Sequence, residues 1–187
     1  MRDRVGVLAL QGDYQKHLDV LSAIGAFGTE VRTPGELATC SRLIIPGGES
    51  TTLGILLTSS GLDKAIVSRA GEGTPIWGTC MGMILMAKEV EGYKQFLFGI
   101  LDVTVRRNAF GAQIFSFEEG LEFSGFASPL HAVFIRAPIV TRMGSGVEAL
   151  ARIDDQIVAV RQGSLLGTSF HPELTGDTRL HEMFLRF

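Results

Sequence analysis

Val5-Gly6-Val7-Leu8-Ala9-Leu10 is a nearly continuous apolar run that stops at Gln11-Gly12-Asp13. A strand covered on both faces, as in a parallel sheet, reads this way because neither row of side chains meets water. Beyond the loop, Tyr14, Leu18, Leu21 and Ile24 recur at helical spacing, with Lys16 and Asp19 between them and Gly25 near the stop. The segment is therefore a strand-loop-helix unit. The unit returns twice. Arg42-Leu43-Ile44-Ile45-Pro46 predicts a second buried strand, followed by Gly47-Gly48-Glu49-Ser50 and an apolar helix from about Thr51. Pro75-Ile76-Trp77-Gly78-Thr79 predicts a third, running through Cys80 into a helical stretch from Met81 to Val90. Strands and helices alternating in this order build a parallel sheet between helical layers.

From Leu101 the pattern turns to alternation. Val103 and Val105, then Ile114, Phe115 and Phe117, then Ala132-Val133-Phe134-Ile135 predict short strands with Gly and Pro at the breaks. Val147 to Ile153, Ile157 to Val160 and Leu165 to Phe170 continue the series, and Leu180, Met183, Phe184 and Phe187 predict a closing helix. The fold class is α/β, a three-layer sheet flanked by helices, mostly parallel and then antiparallel or mixed in the C-terminal half. A length of 187 residues with no repeat or low-complexity run fits one domain over 1–187. Hydrophobic residues at 45% and charged residues at 20% exclude a disordered chain. A net charge of -3 and the lack of any window interleaving Arg, Lys and aromatic residues argue against a nucleic-acid partner. The apolar run after Met1-Arg2-Asp3-Arg4 is too short for a secretory signal, and no stretch approaches the roughly 18 apolar residues that span a bilayer. A cytoplasmic location follows, where thiols stay reduced, so Cys40 and Cys80 are read independently.

Gly78-Thr79-Cys80-Met81-Gly82 places glycine two residues either side of a cysteine between a strand and a helix, the form of a nucleophile elbow. Small neighbours are needed because the nucleophile takes a strained backbone conformation and the helix must pack close to the strand. The side chain is then held at the carboxyl end of the sheet, above a helix N-terminus whose dipole favours negative charge. A buried structural cysteine beside two packing glycines fits the same pattern. In Phe170-His171-Pro172-Glu173, proline constrains the residue before it and its own φ, so His171 and Glu173 project toward one side. A carboxylate bonded to one imidazole nitrogen leaves the other free to take a thiol proton. A helix start with Pro172 at its first position is the competing reading. Pro46-Gly47-Gly48-Glu49-Ser50 ends another buried strand, and its unshielded N–H groups can donate to an oxyanion, with the N–H of Met81 as second donor. A phosphate loop is disfavoured, since the Walker spacing and lysine are missing and Glu49 would repel phosphate.

Together these segments resemble the class I, triad-type glutamine amidotransferases, and more narrowly the glutaminase subunit of pyridoxal 5′-phosphate synthase. The resemblance covers essentially the whole chain. It is carried by Leu8-Ala9-Leu10-Gln11-Gly12-Asp13, Pro46-Gly47-Gly48-Glu49-Ser50-Thr51-Thr52, Gly78-Thr79-Cys80, Arg107-Asn108-Ala109-Phe110-Gly111, Phe134-Ile135-Arg136-Ala137-Pro138 and Phe170-His171-Pro172-Glu173-Leu174. It implies a flavodoxin-like sheet, L-glutamine as substrate and Cys80, His171 and Glu173 as catalytic triad. It also implies glutamine contacts from Gly47, Gly48, Glu49, Arg107, Ile135 and Arg136, and a barrel-shaped, oligomeric synthase subunit as the partner that receives ammonia. Gln11, at the end of the first strand, is the residue expected to transmit partner docking. One departure stands out: many relatives place a small residue after the cysteine, where this chain has Met81. Only its backbone N–H is required, so activity should survive.

Arg107 suits a bidentate contact with the α-carboxylate of glutamine, whereas Arg106 reads as a solvated charge. Cys40 has no glycine pair or histidine in sequence reach and reads as structural. His17, His131 and His181 show no ligand spacing and read as surface or satisfied core residues, so neither a metal nor a cofactor is expected. Two other functions compete: the glutaminase subunit of another pathway such as histidine biosynthesis, and a catalytically silent glutamine-sensing subunit. The Gln11 loop and Arg107-Asn108 argue against the first, and the intact triad against the second.

Overall fold

A computed structural model describes residues 3–109 and 116–187, and the side chains of all of these except positions 50 and 51. Met1, Arg2, Phe110, Gly111, Ile114 and Phe115, named above, lie outside the described residues. The first half is built of β1 (Arg4–Leu8), α1 (Tyr14–Ala23), β2 (Phe27–Val31), α2 (Pro34–Ala38), β3 (Arg42–Ile45), α3 (Ser50–Ser60), α4 (Leu62–Gly71), β4 (Ile76–Thr79) and α5 (Met81–Met86). The second half adds β5 (Ala87–Val90), β6 (Leu101–Arg106), β7 (Ser116–Leu121), β8 (Leu130–Ile135), β9 (Ile139–Met143), β10 (Glu148–Ile153), β11 (Gln156–Gln162), β12 (Leu165–Thr168), a 3-10 turn at Pro172–Leu174 and α6 (Arg179–Phe184).

One sheet runs in the order β2-β1-β3-β4-β12-β11-β9-β6-β5, with β10 on β11, while β7 and β8 form a separate ribbon. From β2 to β12 every neighbour is parallel. β11 then pairs antiparallel with both β12 and β9, and β9 with β6. The α/β class and the change from parallel to mixed pairing match the sequence reading. Alternation along the central strands divides the core into two layers. Leu8, Leu43, Ile45 and Ile76 face a cluster shared with α3, α4 and α5, and Val5, Val7, Ile44 and Trp77 face one shared with α1 and α6.

Two of the expected elements take another form, and β2, α2 and β9 are not among those expected. The helix expected over Met81 to Val90 stops at Met86, and Ala87–Val90 is a strand parallel to β6. Met81 through Met86 are all buried, so the run is apolar on every side and carries no period to mark where helix gives way to strand. The helix expected from about Thr51 is two helices broken at Gly61, whose φ of 75° is left-handed and ends α3 without a β-carbon clash. Among the described residues, no helix is long and apolar enough to cross a membrane.

Candidate active site

Four neighbouring strands, β1, β3, β4 and β12, point their carboxyl ends at one edge of the sheet, the place where open α/β sheets bind ligands. Their exits carry Gln11-Gly12, Gly47-Gly48, Cys80 and His171. Cys80 joins β4 to α5 at φ 49°, ψ -106°, a conformation that costs a non-glycine residue about 1–3 kcal/mol and must be held by its surroundings. They do hold it. A β-carbon on Gly78 would lie 2.5 Å from the Gly82 carbonyl carbon, and one on Gly82 would lie 1.9 Å from the Ile45 oxygen. Both glycines are therefore required for helix and strand to approach, while the Cys80 N–H is tied to the Thr168 oxygen at 2.7 Å.

His171 leaves β12 two residues beyond Ser169, and its N–H donates to the Val133 oxygen on β8 at 2.8 Å. Its Nδ1 lies 2.7 Å from Oε1 of Glu173. Pro172 does start a helical turn, as the competing reading had it, but that turn of 3-10 helix is what folds Glu173 back beneath the ring. Burial opposes charge on His171, yet the hydrogen bonds and charges of Cys80 and Glu173 outweigh it and raise the imidazole to about 10. For Glu173, burial alone would raise the carboxyl, but the facing His17 and the bond from His171 hold it below the usual range. The arrangement favours an imidazolium between two acidic partners. An NMR titration of His171 should accordingly find its midpoint near 10, falling toward the ordinary 6.5 in Cys80→Ala and in Glu173→Gln, each of which removes one attraction. A wild-type midpoint at or below 6.5 would contradict this electrostatic reading.

The cleft above Cys80 encloses about 390 Å³ and is lined by Gly48, Glu49, Met81, Arg107, Ile135, Arg136 and His171 from the predicted set, together with Asp13, Ile84 and Asn108. Gly47 packs beneath it, where an added β-carbon would lie 2.9 Å from His171 Cε1 and 3.6 Å from Cys80 Cβ. Met81 is the first residue of α5, so its N–H is among the first-turn donors that no helical carbonyl can take. The Cys80 thiol points toward the Ile135 oxygen at 3.8 Å. Arg107 is steadied by Tyr93, whose ring lies 5.2 Å below the guanidinium, and by the Gln95 oxygen at 3.0 Å. Glu49 accepts the Thr52 N–H at 2.8 Å and so also caps α3. Gln11 lies outside the lining, yet its Oε1 accepts the Glu49 N–H at 3.3 Å, joining the β1 loop to the glycine loop. Gly12, at φ 90°, leaves room for the Gly47 oxygen, which a β-carbon there would meet at 1.8 Å.

The other singled-out residues separate cleanly. Cys40 is buried and donates its S–H to the Glu36 oxygen at 3.4 Å, and burial pushes its thiol up. Arg106 pairs with Glu91 at 2.7 Å in solvent, and exposed His131 pairs with Glu118 at 2.7 Å. Asp13, His171 and Glu173 offer potential metal-ligand atoms within 4.8 Å of one another, but the His171–Glu173 bond already ties two members together. His17 and His181 are fully buried behind Glu173. The sequence reading missed that contact, because positions 17, 173 and 181 meet only through the packing of α1 and α6 on one face.

The SNO glutamine amidotransferase family matches residues 7–187. The chain is similar to pyridoxal 5′-phosphate synthase subunit PdxT of Herpetosiphon aurantiacus, at 55% identity over 97% of this chain and 98% of that protein. It is also similar to the protein of the same description from Thermus thermophilus, at 53% identity over 99% of this chain and 97% of that protein. A solved structure described as glutamine amidotransferase superposes with a TM-score of 0.93 at 50% identity, covering 97% of both chains.

Proposed function

The chain belongs to the SNO glutamine amidotransferase family, and from that premise we propose that it hydrolyses L-glutamine to L-glutamate and ammonia for pyridoxal 5′-phosphate synthesis in the cytoplasm. The observation that carries the reading is the strained Cys80 elbow beside the 2.7 Å His171–Glu173 pair on one sheet edge. Cys80 thiolate attacks the side-chain amide carbon, and the N–H groups of the Gly47-Gly48 loop and of Met81 stabilise the tetrahedral oxyanion. Imidazolium His171 protonates the departing ammonia, leaving a glutamyl thioester. Acylation removes the Cys80 attraction that helps raise the His171 imidazole, so the ring falls back toward the range of a general base and takes a proton from the hydrolytic water. Glu173 holds the ring throughout. Arg107 binds the α-carboxylate, and Glu49, Ile135 and Arg136 complete the glutamine contacts.

Ammonia freed into neutral water would be protonated and lose its nucleophilicity, so the chemistry requires a receiving partner. That partner is the barrel-shaped, oligomeric synthase subunit of pyridoxal 5′-phosphate synthase, and its docking is read at Gln11. Gln11 bonds to the Glu49 N–H directly after the glycine pair, and the Gly47 oxygen rests on Gly12. A shift of the β1 loop therefore reaches the peptide that must present N–H, rather than C=O, to the oxyanion. One such donor contributes about 3 kcal/mol, or roughly a hundredfold in rate. Glutamate release by the isolated chain is expected to be about that much slower than in the complex, with Gln11→Ala removing most of the gain. Equal rates with and without the synthase subunit would defeat the gating. No release in either state would defeat the glutaminase reading itself.

A further inference from the structure

His17 sits in the middle of α1 and is fully buried against the sheet. Its ring approaches the oxygen of Glu173 that His171 does not take. Nε2 lies 3.4 Å from Glu173 Oε2 and 3.3 Å from Thr79 Oγ1, and Nδ1 lies 3.0 Å from His181 Nε2. Trp77 closes the pocket edge-on against both histidine rings, at 5.9 Å and 4.9 Å. Desolvation makes two adjacent buried histidines costly, and burial lowers the pKa of both, that of His181 to about 3, so both rings are neutral and each carries one proton.

The contacts fix where those protons are. If His17 carried its proton on Nδ1, it would donate to His181 Nε2, and its Nε2 lone pair would face the Glu173 carboxylate. His181 would then hold its proton on Nδ1, which has no hydrogen-bond partner among the described residues. That arrangement combines a lone-pair repulsion with an orphaned buried N–H. The alternative removes both faults. His181 Nε2–H donates to His17 Nδ1 and His17 Nε2–H to Thr79 Oγ1, with Glu173 Oε2 3.4 Å from the same nitrogen, so neither buried imidazole N–H is left without a partner.

We infer that His17 is a positioning residue for glutamine hydrolysis, presenting its Nε2–H to the second oxygen of Glu173 while His181 sets its tautomer. The inference rests on the proposed orienting role of Glu173. Oε1 of that carboxylate is taken by His171, whereas Oε2 is buried without a hydrogen-bond partner among the described residues, and His17 Nε2 faces it at 3.4 Å. The terminal torsion of a glutamate is broad, so a carboxylate anchored at one oxygen alone can turn. A donor at Oε2 pins the plane, keeps the group ionised and aims Oε1 at His171.

Two measurements test this. In wild-type protein with labelled histidine, nitrogen chemical shifts should report His17 protonated on Nε2 and bare on Nδ1; a proton on Nδ1 overturns the inference without any variant. In the complex with the synthase subunit, His17→Leu should lower kcat about tenfold with KM little changed, as loss of a bond to a charged group implies, and should lower the His171 titration midpoint. His17→Gln, whose amide can still donate to Glu173, should recover most of both. Equal behaviour of the Leu and Gln variants, with an unmoved His171 midpoint, would leave His17 a packing residue. Failure of wild-type protein to hydrolyse glutamine would instead count against the proposed function.

Discussion

Cys80→Ala is expected to lower glutamine hydrolysis by at least about a thousandfold, the scale on which loss of a nucleophile acts, while Cys40→Ala stays close to wild type. The two cysteines differ in surroundings rather than in kind. Cys80 stands at the cleft floor in a strained turn beside His171. Cys40 is buried against α2 with its thiol bonded to a helix carbonyl and pushed up by desolvation, which keeps it protonated and inert. Glutamate release by each variant in the synthase complex decides the point. Comparable losses in both variants would show that the assay reads folding rather than chemistry.

His171→Ala should be nearly as damaging as Cys80→Ala, because one ring both protonates the leaving ammonia and activates water, and residues acting as a unit are not additive. Glu173→Ala should cost less, since a carboxylate that orients an imidazole takes no proton itself. Its effect is nonetheless expected to be large, because removing Glu173 leaves His171 Nδ1 without the 2.7 Å acceptor and His17 Nε2 without the 3.4 Å carboxylate. Steady-state kcat for the two variants checks the ranking. Negligible losses from both would reduce His-Pro-Glu to a structural turn.

Most of what positions this site is written locally. β1, β3 and β4 announce themselves as apolar runs because both of their faces are covered, and the loops at their carboxyl ends carry the glycines and the cysteine. β2 is different: among the described residues, Phe27-Gly28-Thr29-Glu30-Val31 pairs with β1 alone at the sheet edge and buries only Val31 fully, so no apolar run marks it. α2 is short, and its signal is the capping box of Thr33 and Glu36 with Pro34 in the first turn rather than a hydrophobic period. The end of α5 is invisible for the opposite reason, since every residue from Met81 to Met86 is apolar and buried. Residues brought together across the fold were the least legible. Tyr93 and Gln95 beneath Arg107, and His17 and His181 behind Glu173, carry no common spacing with the groups they support, and only the packed layers reveal them.

Whether Cys80 carries the glutamyl group is decided by quenching the synthase complex during turnover with glutamine and locating the adduct by mass spectrometry. A glutamyl thioester is expected on the peptide containing Cys80 and is expected to be missing from Cys80→Ala. An adduct on Cys40, or undiminished glutamate release by Cys80→Ala, would contradict it.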